Sequence, residues 1–295
     1  MTRVAALTGI VAISFSAIFM RLAAPSPATG AFWRAAYALP LLTVAWLMVR
    51  DRDNRDWSAR MTAFAAGLLL AIDLVLWQMA IDRIGAGLAV VLANVQVVFV
   101  GGFAWLLHRE RPTTTAMAVV PIVIAGVAMI SGLGQTDAYG TDPGLGTIFG
   151  LITALSYAGF LLVFRHSNRN HLAPAPGPLL DATIGTLAGS LVLALFDSGF
   201  SLAFTWPQHG WLLGLGVLIQ SLGWMLITVA LPRLAALETS VLLLLQPMLA
   251  IVWARLVFAE SLSPTQWLGV AVVLGGVMVL VQRGTVDPAR SSRSR

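Results

Sequence analysis

Apolar residues run along this chain in ten blocks separated by short polar connectors: 4–21, 31–49, 61–81, 87–107, 114–132, 145–165, 178–196, 208–230, 239–258 and 265–282. About twenty mostly apolar residues are what a helix needs to cross the hydrocarbon core of a bilayer. Lipid offers backbone N–H and C=O groups no partner, so spans are helices or closed barrels. Barrel strands alternate apolar and polar positions, and these blocks do not. The pattern predicts an all-α membrane protein with ten transmembrane helices.

Composition supports the same class: 58% of the residues are hydrophobic and 11% charged, with a mean hydropathy of +0.85. Ordinary soluble domains carry about 25% charged residues. With no cysteine, disulfides and thiolate metal sites are excluded. The first block could be read as a cleaved leader, but "ISFSAIFMR" resembles "LSYAGFLLVFR" at 155–165, so it is expected to stay as the first span.

The net charge of +5 does not point to nucleic acid, because all 18 basic residues are arginines placed mainly in the connectors. Cytoplasmic loops collect arginine. With the N-terminus inside, fourteen fall on that side: Arg3, Arg50, Arg52, Arg55, Arg60, Arg109, Arg111, Arg165, Arg169, Arg233, Arg283, Arg290, Arg293 and Arg295. Only Arg21 and Arg83 fall outside, while Arg34 and Arg255 lie within spans. Both termini are therefore expected in the cytoplasm.

The chain also repeats itself. Arg83, Gln96, Glu110 and Gly126 answer Arg233, Gln246, Glu260 and Gly276, 150 positions on. Gly67, Asp73 and Trp77 answer Gly214, Gln220 and Trp224 at an offset of 147. Each unit holds five spans, an odd number, so the second begins on the opposite side: two inverted five-helix repeats. The expected division is 1–135 and 145–282, joined by the Gly/Asp/Pro-rich "GLGQTDAYGTDPGLG" (132–146) and followed by a disordered polar tail, 283–295.

At the ends of the halves the pattern becomes specific. "VQVVFVGGFAWLLHRERPTTTAMAVVPIVIAGVAMI" (95–130) and "LLLLQPMLAIVWARLVFAESLSPTQWLGVAVVLGGVMVL" (242–280) each join a polar-apolar helix, a terminal Glu, a short loop and a Gly-containing last helix. With "FWRAAYALPLL" (32–42), they resemble the EamA-type drug/metabolite transporter superfamily, and within it most the YddG-type bacterial exporters of aromatic and other amino acids. The resemblance implies a carrier in the bacterial inner membrane that exports small metabolites by alternating access, with both termini cytoplasmic. Val97 departs from the pattern, which favours proline after Gln96.

Charged side chains at membrane depth are rare and face partners or cavities. Arg34 and Asp73 are placed to form a charge pair or a coupling site; Asp181 lies near the inner end of its span, where water can reach it. Asp73 and Trp77 share one helix face, and Gln220 and Trp224 repeat the arrangement. A polar group one turn from an indole suits a ligand with a charged part and an aromatic body, although interfacial tryptophans have the same appearance. Gln78, Asn94, Gln96, Tyr157 and Gln246 are further candidate substrate contacts, or staples between helices. Gln246-Pro247 is the expected hinge, because proline removes a backbone donor mid-span, and Gln96-Val97 is its stiffer counterpart.

A carrier is the expected function. An intramembrane enzyme has no His-Glu-x-x-His and no acid–base pair at helical spacing within a span, and a channel or scaffold leaves the paired polar-aromatic faces unexplained. No nucleotide motif occurs, so ATP is not expected, nor is any cofactor or metal. The expected partners are a small-molecule substrate and the lipid bilayer; a monomer and an oligomer both stay open. The first span holds no acidic residue, which favours a facilitative carrier, with Asp73 the candidate proton carrier if transport is coupled.

Overall fold

The computed structural model describes residues 2–108, 112–132, 134–168, 173–230, 234 and 236–283. All regular structure among them is helical. Seven stretches are long and apolar enough to cross a membrane: Thr2–Ala23, Trp57–Ala93, Pro143–Ser167, Pro176–Ala194, Gln208–Ala230, Val241–Phe258 and Pro264–Arg283. Gln96–Leu106 and Thr114–Ile130 are shorter apolar helices. The expected block 31–49 appears as a 21-residue helix, Pro27–Leu47, long enough to span but interrupted in hydropathy by Arg34 and Tyr37.

The chain forms two compact units, and neither is a half of the sequence. Unit 1 comprises residues 1–79 and 159–234; unit 2 comprises 80–158 and 235–295. In unit 1, α1 (Thr2–Ser14) and α2 (Ser16–Ala23) meet at a break at Phe15, followed by α3 (Pro27–Leu47) and the first part of α4 (Trp57–Ala93). The end of α7 (Pro143–Ser167) and α8 (Pro176–Ala194) complete it with a composite helix: α9 (Gln208–Gly214), a π-helical stretch at Leu215–Gly223, and α10 (Trp224–Ala230). Close approach builds this unit. A methyl at Gly185 would strike the Phe64 carbonyl and one at Gly67 the Ala182 carbonyl, while the Thr186 hydroxyl donates to Gly67 O at 3.2 Å.

Unit 2 holds the rest of α4, α5 (Gln96–His108), α6 (Thr114–Ile130), the first part of α7, α11 (Ala236–Phe258) and α12 (Pro264–Arg283). Here α6 and α12 pack through Gly126 against Val272 and Val273, and through Gly276 against Val123. Gly146 and Gly150 of α7 seat against Ile84 and Leu92. Small residues allow close packing at these sites and at Gly185 and Gly189, whereas Gly102 and Gly275 face open space.

Two findings depart from the sequence reading. The fourth expected span is cut in two: α4 turns at Gly85 (φ 85°, ψ 167°) and ends at Ala93, and α5 starts afresh at Gln96. Conversely, α11 runs unbroken from Ala236 to Phe258 with Pro247 inside it. Arg283, placed at the head of the tail, belongs to α12, and the rest of the tail lies outside the described residues, as do Glu110 and Arg233.

Candidate functional site

A buried polar cluster of unit 1 surrounds Arg34 on α3. Its Nε donates to Gln220 Oε1 at 2.9 Å and its Nη1 to the Ser16 hydroxyl at 3.2 Å. Arg34, Ser16, Gln220 and Asp73 are 5%, 5%, 3% and 6% exposed. Asp73 lies in the electrostatic field of Arg34. Local backbone features set this meeting. Ser16 opens α2 just after the break at Phe15, and Gln220 sits in the π-helical stretch, a wide turn that often marks functional sites. Gly216 lets that stretch lie against α3, since a Cβ there would meet Tyr37 Cβ at 2.6 Å and Arg34 O at 2.9 Å. The Ser221 hydroxyl donates to Gly216 O at 2.9 Å and Ala38 O at 3.3 Å, tying the same two elements.

The aromatic half of the predicted pairs is less symmetrical. Trp77 is buried in α4, one turn from Asp73. Trp224 packs edge-on to Phe160, with ring centroids 5.6 Å apart, and against the core of Ala38, Leu42, Leu179 and Leu180. A π-turn carries more residues than an α-turn, so the same four-residue spacing points Trp224 differently relative to Gln220 than Trp77 to Asp73. Gln78 is 1% exposed on α4. Near the other end of α3, Trp33 stacks on Tyr37 at 5.2 Å, and the Tyr37 hydroxyl lies 2.7 Å from Nδ1 of the buried His209.

A second charged cluster of unit 1 was not anticipated. Arg55, in the connector between α3 and α4, reaches Asp53 at 2.8 Å and Asp181 of α8 at 2.8 Å, and Arg60 approaches Asp181 at 3.3 Å. Trp46 Nε1 donates to Asp53 at 3.0 Å. Asp181 is 6% exposed, so the expectation that it meets water is corrected: it is held by two arginines. The hydrogen bond from Arg55 holds the Asp53 carboxyl well below its usual value, at about 2, against the opposing effect of burial. For Arg55 burial acts first, favouring the neutral form; its bond to Asp53 and the charges of Asp181 and Asp53 outweigh it and raise the pKa.

In unit 2 the candidates gather around breaks in helices. The Glu260 carboxylate accepts from Ala86 N at 2.7 Å and Gly87 N at 3.1 Å, capping the segment that follows Gly85. Only glycine fits position 85, because its φ is positive and a Cβ would fall 2.7 Å from Glu260 Oε1. Arg255 donates to the backbone carbonyls of Ala259 and Glu260, at 3.2 and 3.3 Å. Asn94 and Gln96 flank the interruption between α4 and α5, where Asn94 Nδ2 donates to Val90 O at 2.8 Å. Gln246 and Tyr157 are half-buried within α11 and α7, and Pro247 is buried.

Unit 1 thus brings together Arg34, Gln220 and the field on Asp73, with Trp77 and Gln78 on the same helix as Asp73. Unit 2 holds Asn94, Gln96, Tyr157, Gln246 and Pro247. Sequence reasoning missed Ser16 and the Arg55 network. A hydroxyl in a span is an ordinary residue until its partner is known, and Arg55 reads as one of several loop arginines.

Comparison with known proteins gives the family of the chain. The EamA-like transporter family matches residues 2–132 and again 144–282. An uncharacterized transporter of Synechocystis sp. is 26% identical over 229 residues, which is 74% of this chain and 65% of that protein. One from Archaeoglobus fulgidus is 24% identical over 59% of each chain. For these two the chain spans less than two thirds of the relative's length. The uncharacterized transporter YxxF of Bacillus subtilis is 24% identical over 85% of this chain and 80% of that one. A solved crystal structure shares the fold at a TM-score of 0.63 and 16% identity, covering 96% of this chain and 97% of that one. The chain is a multi-pass membrane protein and belongs to the EamA-like transporter family.

Proposed function

We propose that the protein is a secondary carrier that exports small metabolites, among them aromatic and other amino acids, across the bacterial inner membrane by alternating access. The observation that carries this reading is Arg34, a buried cation on α3 that donates to Gln220 and Ser16 and shares an electrostatic field with Asp73. A charge held at membrane depth is expensive unless it serves a pathway or a ligand. A substrate carboxylate would engage the guanidinium, which offers a planar fork of donors. An aromatic or apolar body would lie along the Trp77 and Trp224 side of the cluster. Gln78, Asn94, Gln96, Tyr157 and Gln246 are kept as candidate substrate contacts.

The architecture proposed for this activity is ten transmembrane helices in two inverted five-helix repeats, 1–135 and 145–282, with both termini in the cytoplasm. Support comes from the two-segment family match and from the arginine asymmetry of the connectors. Pro247 is proposed as a point of bending in α11, because it offers no N–H to the carbonyl of Leu243. Asp73, beside Arg34, would carry the proton if transport is coupled; the absence of an acid from the first span favours a facilitative carrier.

The deciding experiment uses purified protein in liposomes loaded with L-phenylalanine, assayed with and without a pH gradient. Release in both conditions supports a facilitative carrier, and gradient-dependent release supports coupling. No release, with other amino acids also retained, overturns the amino-acid reading. Reporter fusions at Ser292 and Ala138 should fall on opposite sides of the membrane; the same side for both would refute the topology.

A further inference from the structure

Where α4 gives way to α5, the backbone leaves its α-helical pattern. Asn94 N–H donates to Val91 O at 3.1 Å and Val95 N–H to Leu92 O at 3.0 Å, while Val97 N–H turns to Asn94 O at 3.4 Å. Each bond skips three residues rather than four, so the Ala93 carbonyl loses its usual donor. Two early donors of α5 are engaged, since Val97 and Val98 bond to Asn94 O and Val95 O. The interruption therefore leaves the Ala93 carbonyl as an open acceptor.

Two side-chain oxygens of unit 2 are buried and unmet. Gln96 Oε1 is buried without a hydrogen-bond partner among the described residues, and so is the hydroxyl of Thr153 on α7, a residue 1% exposed. Their neighbourhood follows from register. Gly146 of α7 meets Ile84 and Gly150 meets Leu92, so the two elements run in the same direction. One turn further along each, on the same faces, stand Thr153 and Gln96. Leaving two buried polar atoms unmet is costly unless a ligand meets them. Three acceptor oxygens around one interruption match a group with several donors, as an ammonium has.

We propose that Gln96, Thr153 and the Ala93 carbonyl form a subsite for a protonated primary amine at the interruption between α4 and α5. The proposal rests on the reading of the protein as a carrier of amino-acid-like metabolites, and it adds Thr153, a residue no sequence pattern singled out. Gln96 accepts one ammonium proton, the Thr153 oxygen a second and the Ala93 carbonyl a third.

The test measures binding of phenethylamine, L-phenylalanine and 3-phenylpropionate to the purified full-length protein. Thr153→Val and Gln96→Leu should each weaken both amines at least about tenfold, the effect of one hydrogen bond to a charged group. Binding of 3-phenylpropionate, which lacks the amine, should be the same in all proteins, and Thr153→Ser should match wild type. Unchanged amine affinities in the Val and Leu variants, equal weakening of all three probes, or a wild-type protein that binds neither amine would each overturn the subsite. Amine binding with the expected pattern but no L-phenylalanine flux in liposomes keeps the subsite and overturns the carrier reading. Flux with variants that bind amines normally does the reverse.

Discussion

The two compact units solve the same problem, burial of polar groups among apolar helices, by different means. In unit 1, side chains satisfy one another: Arg34 with the distant Gln220 and Ser16, and Arg55 with its neighbour Asp53 and the distant Asp181. In unit 2, side chains mainly satisfy backbone. Glu260 caps Ala86 and Gly87, and the fully buried Gln266 bonds Tyr139 N, Tyr139 O and Ile130 O at 2.8, 3.1 and 3.3 Å. The first arrangement concentrates charge at a few buried points. The second spends its polar groups on chain reversals and helix starts, so its irregular backbone keeps a defined shape.

Substitutions should separate these two strategies, and the largest effect is expected at Arg34. Arg34→Leu strips the buried cluster of its cation and should abolish flux; Arg34→Lys retains charge but not the fork, and should keep a fraction of it. Opening such a cluster costs about 3–5 kcal/mol, visible as a lowered melting temperature of the purified protein. Equal flux from Arg34→Leu and wild type would remove the cluster from the transport path.

Next comes the cap of unit 2. Glu260→Ala leaves the Ala86 and Gly87 donors buried and unmet, a loss of about 2 kcal/mol. Gly85→Ala should be as damaging, since the new methyl meets the carboxylate at a positive φ. A Gly85→Ala, Glu260→Ala double variant should lose less than the sum of the two in thermal melts, because only their coexistence produces the collision. Strict additivity would break the account of the cap.

A smaller effect is expected at Asp53, and it depends on pH. Its folded pKa of about 2 lies below the ordinary 3.8, so its contribution is complete above pH 4 and fades as pH falls through about 2. Asp53→Asn should lower the melting temperature at pH 7 and narrow the gap to wild type on acidification towards pH 3. A gap independent of pH would mean that packing, not charge, holds this connector. The smallest effect on stability belongs to Pro247→Ala, under about 1 kcal/mol, since α11 is already continuous. Its signature, if the bend matters, is slower flux with unchanged substrate binding.

How far the sequence could be read depended on what each pattern encodes. Helices followed from apolar run length, because that is set by the bilayer and not by packing. Arg34, Asp73 and Gln220 stood out because polar residues are rare at depth. Trp224 was harder to place: its four-residue spacing from Gln220 repeats that of Asp73 and Trp77, but the backbone there is π-helical, which no residue pattern announced. Proline drew the expectation of a break to α11, yet a break lies between α4 and α5 at Asn94–Val95, where neither residue is proline or glycine. Likewise, the grouping of helices into units ignores the sequence repeat: the divisions fall inside α4 and α7, between Met79 and Ala80 and between Ala158 and Gly159.

The bond between Arg34 and Gln220 also sets a timetable for biogenesis. The two residues lie 186 positions apart, and ribosomes add roughly 5–20 residues per second. For about ten to forty seconds the growing chain must hold a guanidinium at bilayer depth before its eventual partner has been synthesised. During that wait Ser16 and Asp73 are the nearest groups already made, with water or the insertion machinery supplying the rest. A nascent chain halted before residue 220 should therefore be the most vulnerable to quality-control proteolysis, and the sensitivity should vanish once α10 has left the ribosome.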